Sequence, residues 1–518
     1  MSAPAAGDAP GESLVADRAP VVGRYRTIPL LLERAPPDER PHPAEPDTLE
    51  SLGYPGTLVE NWNEIAIRRL GELVAGSRAL RVFMDTCTRC GACTDKCHYY
   101  LGTTDPDNMP VARQELLRSV WRRHFTFAGR HFPWLVGARD LDEAMLRRWY
   151  RYFHQCSECR RCAVFCPKGI DTSEVTMAGR EVLASIGIGG SYTRTIASKV
   201  ISTGNNLGMK RPALADTLES LEEDIAEETG VPVRLPLDEP GAEVLVVTPS
   251  ADFFAEPHVD GLIGYAKVLH AAGVSWTFSS HASEAANFGL FDGDRERTRL
   301  MAERIASAAR ELGTRRLVIG ECGHAWRVAH SYLESLVGPL AEPDGFLDPA
   351  HPRAEHVCEL TWNLLRAGRI RLDPSRNAGV VATYHDSCNV ARGAELGDVP
   401  GGQYRIPREL LRAAVPRLVE MSSDTTGQRT FCCGGGGGLL TDELLGVRTA
   451  GALPRAQALA AVVESDGVTH MAAICAICKT QFGQVLPVHG LGGVRIASLH
   501  QLVGDALVLE PDEAEEGR

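Results

Sequence analysis

Cys87-Thr88-Arg89-Cys90-Gly91-Ala92-Cys93-Thr94-Asp95-Lys96-Cys97 and Cys156-Ser157-Glu158-Cys159-Arg160-Arg161-Cys162-Ala163-Val164-Phe165-Cys166-Pro167 carry one spacing twice, C-x2-C-x2-C-x3-C. At that spacing three thiolates wrap one corner of an iron–sulfur cubane while the fourth reaches the neighbouring cluster. The expected ligand sets therefore cross over. Cys87, Cys90, Cys93 and Cys166 form one [4Fe-4S] site, and Cys156, Cys159, Cys162 and Cys97 form the other.

Paired C-x2-C motifs also bind zinc, but a zinc ribbon has no use for third and fourth cysteines at these offsets. The proline after Cys166 follows the bacterial ferredoxin pattern, which implies an α-helical module holding two cubanes. Cys97 departs from that pattern, with His98 in place of proline; the change alters the local turn or one potential and removes no ligand.

Outward from the motifs, apolar residues at helical spacing lead into each one: Ile65, Ile67, Leu70, Leu73 and Val74 before the first, and the stretch 143–152 before the second. The insert between them carries Arg122, Arg123, His124, Arg147, Arg148 and Arg151, which read either as a solvated face or as a docking surface for an acidic redox partner. Residues 1–58, rich in Pro, Ala, Glu and Asp, are expected to form an extended or disordered arm. Residues 59–240 then make the helical, cluster-bearing domain.

At 518 residues the chain is too long for one core, and about 100–200 residues per domain suggests roughly three units. A net charge of -13 argues against non-specific binding to nucleic acid or an anionic bilayer. No apolar run reaches the roughly 18 residues of a membrane span, and Met1-Ser2-Ala3-Pro4 opens no export signal. The protein is expected in the cytoplasm, reaching a membrane only through a partner. In such a chain 15 cysteines point to metal ligation or redox chemistry, and all but Cys322 and Cys358 fall into three groups.

From residue 241 the texture becomes α/β, with a mainly parallel sheet. Strand-like Val244–Val247, Val274–Phe278 and Leu317–Ile319 alternate with helical Leu262–Leu269 and Leu300–Leu312, and the alternation resumes with Val380–Tyr384, Ala456–Val463 and Thr469–Ile474. The halves overlay as a duplication, 241–377 and 378–518. Thr248-Pro249-Ser250 matches His385-Asp386-Ser387-Cys388, Ser283–Asn287 matches Phe431–Gly435, and Gly320–Ala325 matches the stretch around Cys475 and Cys478. The second copy is rich in cysteine and the first keeps Cys322 alone in these loops, so one half reads as active and one as structural.

That second copy holds Cys388, Cys432, Cys433, Cys475 and Cys478, the pattern C…CC-G…C-x2-C. Five thiolates are one more than a cubane uses, and adjacent cysteines diverge more naturally to different irons of an open cluster. Gly434 to Gly438 lack the Gly-Lys-Ser/Thr ending of a phosphate loop, and read instead as backbone that brings N–H groups to the cluster sulfurs.

This arrangement resembles the CCG-domain family of heterodisulfide reductase catalytic subunits, and a ferredoxin module fused to two CCG units is similar to its HdrD type. Phe83-Met84-Asp85, Asp95-Lys96-Cys97-His98, Asn108-Met109-Pro110, Gly169-Ile170-Asp171-Thr172, Asn287-Phe288-Gly289-Leu290-Phe291, Gly320-Glu321-Cys322-Gly323-His324 and His385-Asp386-Ser387-Cys388-Asn389 resemble its DsrK branch, from the DsrMKJOP complexes of dissimilatory sulfur metabolism. The likeness runs from about residue 60 to about 508. It implies two [4Fe-4S] cubanes as a wire and a noncubane [4Fe-4S] cluster on Cys388, Cys432, Cys433, Cys475 and Cys478 as the catalytic site. It also implies a membrane cytochrome b-type partner (DsrM-like) with further complex subunits, a DsrC-type sulfur carrier, and a place on the cytoplasmic face of the inner membrane. The competing function is the iron–sulfur subunit of a flavin-dependent glycolate, lactate or glycerol-3-phosphate dehydrogenase, which joins the same modules.

Single residues divide in the same way. Cys322 reads as a buried vestigial ligand or as a redox-active thiol beside the substrate, and Cys358, in the helical pattern 357–365, as a core residue. His324, His385 and Lys479 stand near cysteines as candidate proton donors, against ordinary hydrogen bonding to the backbone.

Overall fold

The computed structural model describes residues 58–509 apart from 399 and 443. The arm expected over 1–58 lies outside these residues except for Leu58.

Residues 58–243 contain helices and loops, with no strand among the described residues. The expected helix over 61–80 is two, Trp62–Gly76 and Arg78–Thr86, parted at Ser77, whose side chain accepts the Leu80 N–H and starts the second. Pro110 opens the helix Pro110–Phe125, where its missing N–H costs nothing. Leu70, Leu117, Leu146, Trp149 and Phe153 form a core that also takes in Leu439, Leu444 and Val447 from far along the chain.

Beyond it stand two four-stranded, wholly parallel sheets. The first has strands β1 (Val244–Val247), β2 (Trp276–Thr277), β3 (Arg316–Ile319) and β4 (Glu355–His356) in the order β2-β1-β3-β4. The second has β5 (Val381–His385), β6 (Arg417–Val419), β7 (His470–Ala473) and β8 (Arg495–Ser498) in the order β6-β5-β7-β8. Position for position this is one strand order used twice. The apolar run Val244–Val247 is buried throughout, as a central parallel strand covered on both faces must be.

Helices His258–Ala271 of the first unit and Leu499–Ala506 of the second meet at backbone distance. A Cβ on Gly264 would stand 1.9 Å from the His500 carbonyl, and one on Gly504 2.9 Å from Gly264 Cα. Helices His98–Thr103 and Leu445–Asp466 are joined likewise, through Gly102 and Gly451, so the cluster-bearing module sits directly on the second unit.

Candidate metal centres

Each ferredoxin-like motif turns on the same two backbone positions. Arg89 and Gly91 in the first, and Glu158 and Arg160 at the matching offsets of the second, have φ between +55° and +78°. Non-glycine residues seldom adopt that conformation, and its repetition curls both loops around their thiols. Cys87, Cys90, Cys93 and Cys166 line one cavity, with Cys162 also on its wall, and Cys97, Cys156, Cys159 and Cys162 line a second. These are the crossed sets expected from the spacing. Cys90 is exposed, whereas Cys97 and Cys159 are buried, so the first cavity faces outward and the second inward.

Buried cations surround the inner cavity. Arg113 donates to Tyr152 O at 2.7 Å and Asn108 Oδ1 at 2.9 Å. Burial alone would lower its pKa, but the Cys156 and Cys97 thiols beside it raise it. Arg180, wholly buried, pairs with Glu158 at 3.1 Å and donates to Phe153 O, Cys156 O and Gly437 O. It thereby ties the second motif to the glycine run. His98 does the same work in its own place: Nδ1 meets Gly451 O and Nε2 meets Ser157 Oγ, each at 2.8 Å. The departure from proline is thus an inter-module bond.

The third thiol group gathers at the carboxyl ends of adjacent strands, where parallel sheets hold ligands. Cys388 follows β5, Cys475 and Cys478 follow β7, and Cys432-Cys433 arrive on the loop after β6. All five are buried. Gly434 and Gly435 N–H donate to Cys432 and Cys433 Sγ at 3.4 and 3.5 Å, so the glycine run does bring amides to sulfur. Gly437 (φ +68°) leaves no room for more: a Cβ there would stand 2.6 Å from Cys156 O.

Two of the thiols stand apart electrostatically. The neighbouring Cys159, Cys388 and Cys433 thiols draw Cys432 well below the ordinary thiol range, despite burial. Cys322 and Cys478 do the same for Cys475, with His324 adding to the effect. Each of Cys388, Cys432, Cys433, Cys478 and Cys475 thus acts on the next, a row of thiols, and Cys159, which acts on Cys432, belongs to the inner ferredoxin-like cavity.

Around the row, His324 Nε2, both His385 ring nitrogens and Ser387 Oγ are buried without a hydrogen-bond partner. Buried polar atoms are rarely left so in a finished structure. Thiols in this number beside orphaned imidazoles fit an iron–sulfur group.

The expected backbone hydrogen bonds of the two histidines are therefore corrected: burial leaves His385 without a partner on either nitrogen, and His324 Nδ1 faces Cys475 Sγ at 3.7 Å. Lys479 is engaged, donating to Glu321 at 3.2 Å and Ser498 Oγ at 2.6 Å. Cys358 is a core residue, fully buried in the helix Val357–Arg366.

The basic face of the insert is largely spent inside the module. Arg122 is buried on Glu115, Arg123 pairs with Asp140 at 2.8 Å, Arg148 pairs with Asp107 at 2.9 Å, and Arg151 lies over the Tyr152 ring. Arg147 stays exposed, and the insert also exposes large apolar side chains, Phe127 (74%), Trp134 (79%) and Leu135 (68%), on the short helices Phe127–His131 and Pro133–Val136. Reading the segment for charge passes over them; the Phe/Trp/Leu density of 125–135 was the available signal.

Comparison with known proteins agrees with this division. Residues 83–170 match the 4Fe-4S dicluster domain and residues 382–483 the cysteine-rich CCG domain. The chain is 39% identical over 479 residues to the Hdr-like menaquinol oxidoreductase iron–sulfur subunit of Archaeoglobus profundus, covering 87% of this chain and 84% of that one. It is 37% identical over the same length to the second iron–sulfur subunit of the Hdr-like menaquinol oxidoreductase of Archaeoglobus fulgidus, with the same coverage. To the HdrD-type polypeptide of the dihydromethanophenazine:CoB–CoM heterodisulfide reductase of Methanosarcina mazei it is 25% identical, over 70% of this chain and 81% of that one.

Proposed function

Because the chain belongs to the family of Hdr-like menaquinol oxidoreductase iron–sulfur subunits, we propose that it passes electrons between a quinone-linked membrane cytochrome and a sulfur–sulfur bond bound at the third thiol group. The reading rests on one observation above all: Arg180 donates both to Cys156 O of the inner ferredoxin-like motif and to Gly437 O of the glycine run, and a Cβ on Gly437 would stand 2.6 Å from Cys156 O, so the loops that carry the two sites abut.

In this reading Cys87, Cys90, Cys93 and Cys166 hold the outer cubane, Cys97, Cys156, Cys159 and Cys162 the inner one, and Cys388, Cys432, Cys433, Cys475 and Cys478 a noncubane cluster. Bound there, the clusters supply one-electron transfer and an iron able to take substrate sulfur. Arg113 and Arg180 stand as guanidinium cations beside the inner thiols, and the Gly434 and Gly435 N–H dipoles point at the third group; each would favour the reduced state of a cluster held there. Cleaving one S–S bond takes two electrons and two protons; a DsrC-type protein trisulfide is the carrier we assign, as in the DsrK branch, and its full reduction breaks two S–S bonds with four electrons and four protons, leaving two thiols and releasing H2S. Residues 241–377 are then a CCG unit that has lost its cluster.

No helix among the described residues is long and apolar enough to cross a membrane. We assign the cytochrome b-type partner to the exposed edge of Phe127, Trp134 and Leu135, and on this reading the protein sits on the cytoplasmic face of the membrane. The helix Pro110–Phe125 connects that edge to the outer cavity, which its residues Val111 and Gln114 help to line. Replacing Phe127 and Trp134 by Ser is expected to abolish co-purification with the membrane subunit while leaving the iron content unchanged.

The deciding experiment is an anaerobic iron and sulfide count on wild type and on the Cys432→Ser/Cys433→Ser variant, with spectroscopy during titration by trisulfide DsrC. About twelve irons falling to about eight, with a carrier-dependent signal lost in the variant, supports the proposal. About eight in both, with no response to the carrier and a flavoprotein co-purifying, overturns it.

A further inference from the structure

The row of thiols in the second unit does not end at Cys475. Cys322 Sγ, the His324 imidazole and Cys475 Sγ lie within 4.8 Å of one another, all three residues buried, although Cys322 and His324 come from the first unit. The fold forces this meeting. Cys322 and Cys475 follow the matching strands β3 and β7 and stand at the N-caps of the helices Gly323–Ser331 and Ala476–Val485. A Cβ on Gly323 would sit 3.6 Å from Cys475 Sγ and 3.5 Å from Ser387 Cβ, so the two loops are in contact.

Cys322 is dressed like the cysteines of the third group. Its Sγ accepts the Ala325 N–H at 3.5 Å, as Cys433 accepts Gly435. Independently, His324 Nε2 is buried without a hydrogen-bond partner, and a Cβ on Gly436 of the glycine run would lie 3.0 Å from it. That nitrogen is therefore aimed at the loop that carries Cys432 and Cys433. The other isolated cysteine differs: Cys358 lies against Glu321 and His500, away from any thiol grouping.

We propose that Cys322 is a sixth thiol of the third iron–sulfur site, holding iron beside Cys475 with the His324 ring against it, so that the cluster is bound across both units. The inference rests on the third cluster proposed above.

The test uses the full chain, purified anaerobically, with iron counts and EPR and Mössbauer spectra of wild type, Cys322→Ser, Cys322→Ala and Cys358→Ser. Both Cys322 variants are expected to keep the two cubane spectra and to change or lose the third-site spectrum, while Cys358→Ser matches wild type. Third-site spectra that superimpose on wild type in both Cys322 variants overturn the proposal. If either variant fails to fold, wild type decides. Mild oxidation of iron-stripped protein should join Cys322 to Cys475, as read by peptide mapping, and the loaded protein should show no such bond; a bond in both states or in neither overturns the proposal. A wild-type count of about eight irons would remove the three-cluster reading itself, whereas about twelve with unaltered variants removes only the role of Cys322.

Discussion

The two α/β units share a strand order and differ in what closes the loops at their strand ends. In the second, Cys432 and Cys433 accept amides from Gly434 and Gly435 and leave sulfur lone pairs for a metal. In the first, Glu284 stands where the overlay puts Cys432, and its carboxyl accepts Ser250 N–H at 3.0 Å, Ser250 O–H at 2.9 Å and Ala285 N–H at 3.0 Å. The loop amides are satisfied either way. If residues 241–377 are a CCG unit without its cluster, as proposed, the fold survives that loss because something else meets the buried backbone groups. What it keeps is the interface: Glu321, next to Cys322, binds Lys479, next to Cys478.

That interface gives the largest expected effect. Glu321 and Lys479 are both fully buried, 3.2 Å apart, and Glu321 also accepts from His500 Nδ1 at 2.8 Å. Glu321→Ala strands a buried cation and should cost about 3–5 kcal/mol, read from denaturation midpoints. Glu321→Leu with Lys479→Met removes both charges and should cost much less. Burial raises the Glu321 pKa, but Lys479 and His500 outweigh it and hold the group at about 2. Its contribution is complete above the unfolded carboxyl range, near 4.3, and fades as pH falls from there toward 2. An acid-stability profile of Glu321→Gln should lack that slope.

A smaller effect tests the glycine run, which the first unit does not reproduce. Gly437→Ala puts a side chain at φ +68° and 2.6 Å from Cys156 O, a clash with backbone that cannot swing away. We expect a loss of about 2–3 kcal/mol, with the inner cubane spectrum shifted as Cys156 moves. Gly273→Ala in the first unit, at φ +60° with nothing within 4 Å, should cost only the backbone strain, about 1 kcal/mol, and leave the spectra alone.

How much of this the sequence carried follows from range. Cysteine spacing is local, so both C-x2-C-x2-C-x3-C motifs and the five thiols after β5 can be picked out of the sequence without the fold. Apolar alternation found the central strands β1, β3, β5 and β7, whose side chains are mostly buried, and the apolar edge strand β2 within Val274–Phe278. The edge strands β4, β6 and β8 escaped it, because Glu355-His356, Arg417–Val419 and Arg495–Ser498 are short and partly charged, as edges tend to be. The bonds that hold the modules together were beyond it. His98 reaches Gly451 across 353 residues and Arg180 reaches Gly437 across 257, and no local pattern announces either. Cys322 was visible as a residue, but its partner Cys475 was not, since their contact depends on how one unit sits on the other.

A pH-dependent effect concerns the residue that stands in place of a thiol. Burial pushes the Glu284 carboxyl up to about 7, against the backbone and Ser250 hydrogen bonds that lower it. In the unfolded chain the same group ionises near 4.3. Between those values the unfolded state has given up a proton that the folded state retains, so stability falls as pH rises from about 4.3 to about 7 and then levels off. Glu284→Gln keeps an acceptor oxygen for Ser250 and cannot ionise. It should be nearly neutral at pH 4 and stabilising at pH 8, measured by denaturant unfolding at both values. A gain of that sign identifies Glu284 as a filler that the fold carries at some cost near neutral pH. A loss at pH 8 would mean that the ionised carboxylate is wanted there, and would make the first unit a working site rather than the retired half of the pair.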